Sequence, residues 1–91
     1  MSLRRVVVTG LGALTPLGNS VPEFWNGLVS GKSGSDLITR FDTTNFKTKF
    51  ACEVKDFDVQ EIMDRKEARR MDPFVHYAIA SSDQAIKDAG I

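Results

Sequence analysis

Four cations fall within one six-residue stretch: Arg65, Lys66, Arg69 and Arg70. Their i, i+1, i+4, i+5 spacing gathers all four within an arc of about 140° on a helix, with Asp64 and Glu67 pointing elsewhere. Guanidinium and ammonium groups collected on one face bind carboxylates or phosphates. The chemistry on offer is therefore recognition of an acidic protein partner or a phosphate group. The same pattern also describes a solvated helix face, partly neutralised by Glu67 or Asp72. Whatever the cluster does is local, because twelve acidic and twelve basic residues leave a formal charge of zero. No global field draws nucleic acid or an anionic membrane.

Three other features invite chemistry and lead less far. Gly10-Leu11-Gly12 follows a run of three valines, as glycines do where a strand turns toward a bound dinucleotide. Thr15 stands at the third glycine position, Pro16 follows it, and the next helix does not start until about Val21. A structural turn fits these glycines better than a phosphate cradle. Cys52 is the single cysteine. It is placed between Phe50 and Val54 on the apolar side of a strand pattern, with no glycine turn or helix N-terminus to activate it. It reads as a buried structural thiol. His76 is the single histidine and has no carboxylate or cysteine partner at a motif spacing, which suits a surface or supporting role. No metal-ligand spacing occurs, and no cofactor is predicted.

The elements that would carry these residues follow from pattern. Residues 4–10 read as a strand whose consecutive valines face apolar surroundings on both sides, as in a parallel sheet covered by helices. Ser20, Pro22 and Glu23 write a helix start with a capping box. Val21, Phe24, Trp25, Leu28 and Val29 supply its apolar stripe, and Gly31 its end. Residues 32–48 read as a packed surface loop, because Leu37, Ile38, Phe41 and Phe46 need somewhere to dock. Residues 49–54 alternate as a half-exposed edge strand. Residues 58–72 resolve into two short helices, opened by Asp58 with Glu61 and by Asp64 with Glu67. Asp72-Pro73 then starts a long helix reaching about Ala89 before Gly90. Its stripe of Val75, Ala78, Ile79, Ser82, Ala85, Ile86 and Ala89 predicts close packing.

One further strand is too little sheet to hide the first. The expectation is an α/β protein of which residues 1–91 form an incomplete N-terminal portion, with no internal domain boundary. Arg4 and Arg5 ahead of an apolar stretch resemble a secretory signal. Thr9, Gly10, Gly12, Thr15 and Pro16 interrupt that stretch, and no A-x-A site follows. No run approaches the roughly 20 apolar residues that span a bilayer. A single cysteine is consistent with a reducing compartment, so the cytoplasm is the expected location.

Taken together, Arg4-Arg5-Val6-Val7-Val8-Thr9-Gly10-Leu11-Gly12, Thr15-Pro16-Leu17-Gly18-Asn19, Phe41-Asp42, Lys49-Phe50-Ala51, Asp64-Arg65-Lys66-Glu67 and Arg70-Met71-Asp72 resemble the N-terminus of the 3-oxoacyl-acyl-carrier-protein synthases. The resemblance runs along essentially the whole chain and implies about the first fifth of such a protein. It implies a thiolase-like fold, five-layered αβαβα when complete, assembled as a homodimer. It also implies a reaction: an acyl group passes from carrier protein to an enzyme cysteine, and a carbanion from decarboxylated malonyl carrier protein attacks the thioester. The family's catalytic cysteine and two histidines lie beyond Ile91, and neither Cys52 nor His76 matches them. The family commonly has a small residue such as glycine where Cys52 stands. No residue of this chain is therefore expected to be catalytic. The resemblance does give the basic cluster a partner, because Lys66, Arg69 and Arg70 align with residues that dock the acidic carrier protein. Arg65 matches the pattern without an assigned contact. Two rivals remain: a ketosynthase or chain-length-factor segment of a polyketide pathway, and a non-catalytic module that binds an acidic protein through its basic helix.

Overall fold

A computed structural model describes residues 2–91, which form three α-helices, one 3-10 turn and a two-stranded sheet. The first helix, α1, spans Val21–Val29. The hydroxyl of Ser20 accepts from the Glu23 amide at 3.3 Å, while the Glu23 carboxylate accepts from the Asn19 amide at 2.9 Å. The expected capping box thus closes one residue further upstream than its usual form. At the other end Gly31 takes φ 74°. This lets the Lys32 amide reach the Gly27 carbonyl at 2.9 Å and the Gly31 amide reach that of Leu28 at 3.1 Å, a Schellman ending. Only part of the apolar stripe finds cover: Val21 and Phe24 are half-buried, whereas Trp25, Leu28 and Val29 are exposed.

The sheet is antiparallel and short, pairing β1 (Ser35–Leu37) with β2 (Phe50–Cys52) in the register Ser35 to Cys52 and Leu37 to Phe50. Here the sequence expectation is corrected twice. The strand expected over 49–54 shrinks to three residues, and its partner lies inside 32–48, where a loop was expected. Ser-Asp-Leu carries no alternation, so nothing in its own composition marks it as a strand. The inward face is also the reverse of the one expected. Ala51 is half-buried, while Phe50 and Cys52 face outward and Cys52 is an exposed thiol.

The largest correction concerns residues 4–10, which form no strand. Val6, Val7 and Val8 are 89%, 69% and 76% exposed. A strand exists only through the backbone it pairs with, and residues 4–10 pair with neither β1 nor β2. The radius of gyration, 16.7 Å, exceeds the roughly 12 Å typical of a packed domain of this length. Among the described residues the buried positions are confined to Gly27, Ala68 and Ala80.

The long helix α3, Pro73–Ala89, starts with proline in its first turn, although the Asp72 side chain makes no capping bond. Gly90, at φ 75°, ends it. The stretch from Gly10 to Asn19 is laid along this helix. The Leu11 amide donates to the Asp88 carboxylate at 3.0 Å and the Ala13 amide to the Gln84 side-chain carbonyl at 2.9 Å. The Gln84 amide group donates in turn to the Asn19 carbonyl at 2.7 Å. Contact is so close that a Cβ on Gly12 would overlap the Ser81 carbonyl, and one on Gly10 the carbonyl of Ala85. The packed side of α3 is therefore Ser81, Gln84, Ala85, Asp88 and Ala89. Ala78, Ile79, Ser82 and Ile86, expected inside, are exposed and border an open apolar groove of about 390 Å³.

Candidate functional site: the basic helix

Residues 58–72 carry the cations, and their local structure follows from two aspartates. Asp58 accepts from the Gln60 amide at 2.9 Å and opens a 3-10 turn over Val59–Glu61, in place of the first short helix expected. Asp64 accepts from the Lys66 amide at 3.4 Å and opens α2, Arg65–Arg69. Both caps act on the second residue of their turn, and neither Glu61 nor Glu67 returns the reciprocal bond of a capping box. The 3-10 turn packs against α2.

On α2 the residues divide by face. Ala68, 9% exposed, is turned inward. Arg65, Lys66, Arg69 and Arg70 are all exposed. Among the described residues the ion pairs are Arg40 with Glu53 at 3.9 Å and Lys87 with Asp83 at 2.9 Å. Neither involves the cluster, so Glu67 and Asp72 do not neutralise it by direct pairing. Four cations thus stand side by side in water, and Arg69 and Arg70 also lie at the helix end whose partial charge favours them.

His76 sits in the second turn of α3 and is half-buried. Its Nε2 lies 2.8 Å from the Ala68 carbonyl oxygen. A carbonyl only accepts, so this nitrogen carries the hydrogen. The supporting role open to this histidine in the sequence is therefore a bond to the backbone of the basic helix. The only signal for it was the short Arg70–Asp72 link, which folds the start of α3 back beside the end of α2.

The remaining candidates separate from this site. Gly10 and Gly12 face the carbonyls of α3, whose negative oxygens would repel a phosphate, so the structural account of these glycines holds. Among the described residues no three potential ligands come together to hold a metal ion. A polar network joins the segments that follow β1 and β2 to α3: the Arg40 guanidinium donates to the Tyr77 hydroxyl, and Tyr77 packs edge-on against Phe57 with ring centres 5.5 Å apart. In the same network the Thr39 hydroxyl donates to Glu53 at 2.9 Å. That bond is the main cause holding the Glu53 carboxyl below its ordinary 4.5. No helix among the described residues is long and apolar enough to cross a membrane.

Residues 3–91 match the family described as beta-ketoacyl synthase, N-terminal domain, and the chain belongs to that family. The class is that of the thiolase-like ketosynthases, of which the described residues hold a small sheet and helices. The chain is 55% identical over 86 residues to 3-oxoacyl-acyl-carrier-protein synthase 2 of Synechocystis, covering 94% of this chain and 21% of that one. It is 53% identical over 91 residues to the protein of the same description from Vibrio cholerae, covering 100% and 22%. Among solved structures it superposes on the ishigamide ketosynthase/chain length factor with a TM-score of 0.90 at 40% identity, covering 99% of this chain and 22% of that one. The chain thus spans about a fifth of the length of the relatives it matches.

Proposed function

We propose that this chain is the N-terminal part of a 3-oxoacyl-acyl-carrier-protein synthase. That enzyme elongates an acyl carrier protein thioester by decarboxylative condensation with malonyl carrier protein in fatty acid synthesis. The segment itself contributes no catalytic group. Its share in the reaction is recognition: Lys66, Arg69 and Arg70 dock the acidic surface of the carrier protein. The observation that carries this role is the set of exposed, unpaired cations on α2 and its C-cap, Arg70, in a chain whose relatives are named for a carrier-protein thioester. Complementary charge of this kind governs encounter and orientation more than chemistry. The same proposal carries a five-layered αβαβα core, a homodimer and a cytoplasmic location, all of which rest on family resemblance.

Charge reversal tests the docking role. In the full-length synthase, Lys66→Glu with Arg69→Glu is expected to raise KM for acyl carrier protein at least tenfold, with little change for acyl-coenzyme A, which offers no acidic protein surface. Equal effects on the two substrates would refute it. A polyketide ketosynthase is the second reading, supported by the structural match to a ketosynthase/chain length factor. Turnover of the full-length enzyme with simple saturated acyl carrier protein, followed by product chain length, separates the two.

A further inference from the structure

We propose that His76 is a positioning residue for carrier-protein docking: by holding the last turn of α2 through the Ala68 carbonyl, it fixes the direction in which Lys66, Arg69 and Arg70 point. The proposal rests on the docking role just described and adds to it a residue that carries none of the docking charge.

Three observations lead there. First, α2 has only five residues, far below the dozen or so at which a helix persists without tertiary support. Its internal bonds are correspondingly few, and the capping contact from Asp64 is long at 3.4 Å. Second, among the described residues only two side chains bond the backbone of residues 64–70, Asp64 at the start and His76 at the end. The aspartate belongs to the same turn, so His76 alone ties α2 to another element by such a bond. Third, the anchor and the cations occupy different sides. Ala68 lies about 130° round the helix from the centre of the basic arc and is turned inward at 9% exposed. His76 can therefore hold the helix without covering its charged face.

The geometry also specifies the chemistry required. The Ala68 carbonyl already accepts from the Met71 amide at 3.3 Å, and His76 offers its second lone pair a donor at 2.8 Å. A glutamine can bring an N–H to nearly the same point, whereas an asparagine falls about one methylene short. Neither alters the charge of α2. Without the tie, the short helix samples several orientations, and a carrier protein must select the productive one on binding. That selection weakens association by the fraction of time the correct orientation is populated. The substrate that uses no protein surface is unaffected by it.

The experiment is steady-state kinetics of the full-length synthase with acyl carrier protein and with acyl-coenzyme A, on His76→Ala, His76→Asn and His76→Gln. Loss of one hydrogen bond predicts that His76→Ala and His76→Asn raise KM for acyl carrier protein about fivefold. The KM for acyl-coenzyme A and kcat with either substrate should stay within about twofold of the unmodified enzyme, and His76→Gln should restore the carrier value. If His76→Ala does not fold, the asparagine and glutamine pair reads the same difference. An equal rise for both substrates, or a glutamine variant no better than asparagine, overturns the positioning role. The charge-reversed Lys66→Glu, Arg69→Glu enzyme runs in parallel. Should it raise KM for carrier protein while the His76 variants do not, only the role of His76 is lost. Should it leave that KM unchanged, docking by α2 is lost and the positioning role with it.

Discussion

The contact between residues 10–19 and α3 and the surface of α2 are built on opposite terms. Along α3 the chain approaches so closely that two positions admit no side chain, and amide groups are matched one to one with Asp88 and Gln84. On α2 the side chains stand free in water, and only the inward Ala68 and its carbonyl are engaged. Substitution should therefore be intolerable in the first region for reasons of shape. In the second it should be structurally silent, with its effect appearing only when a partner binds. The difference separates what holds this segment together from what it presents to others.

The sharpest way to break that contrast is Gly12→Val in the full-length protein. A branched side chain driven into the Ser81 carbonyl has nowhere to go, so a loss of about 3 kcal/mol or more, or failure to fold, is expected in chemical denaturation. An ordinary melt for this variant would show that the close approach is dispensable. Gln84→Leu keeps the volume but leaves the Ala13 amide and the Asn19 carbonyl without their partner. About 2 kcal/mol should be lost, read as a lowered denaturation midpoint at unchanged slope. On the other side of the comparison, Lys66→Ala with Arg69→Ala should move stability by no more than about 0.5 kcal/mol, even as the proposed binding of acyl carrier protein weakens. A large loss of stability there would mean that the cations hold structure after all.

The smallest effect belongs to the Thr39–Glu53 contact. Because Glu53 is held below its ordinary value when folded, its bond to Thr39 contributes above pH 4.5 and is lost as the pH falls through the lowered value. An NMR titration of the Glu53 carboxyl should show a midpoint below 4.5, and Thr39→Val should move that midpoint upward. No movement on removing the threonine hydroxyl would assign the shift to another cause.

Features written in neighbouring residues were legible in the sequence. Ser20 and Glu23, the glycines at 31 and 90, Asp64 and Pro73 all act within a few positions of themselves, and helices begin and end where they indicate. Exposure of Lys66, Arg69 and Arg70 followed from their spacing alone. What could not be read depends on distant partners. The valines need strands that β1 and β2 do not supply, and Ser35–Leu37 becomes a strand only because residues 50–52 come to lie beside it. The outward turn of Cys52 depends on which face of that sheet is covered, and it is the face of Ala51. Gly10 and Gly12 were recognisable as structural, yet nothing local indicated that Ser81 and Ala85 were the groups they make room for. His76 belongs with these cases, since its partner sits on a different helix.

The exposed valine run has a consequence for the chain as it is made. Val6-Val7-Val8 is uncharged, exposed and strongly inclined to extended structure, so an unpaired copy of it favours contact with other extended backbone. In a longer synthase it would leave the ribosome well before later strands were available to pair with it. Arg4 and Arg5 sit directly beside it, placing like charge next to every such run that two nascent chains on one messenger could bring together. That repulsion is the kind a gatekeeper pair supplies, at a segment that nothing in the described residues covers.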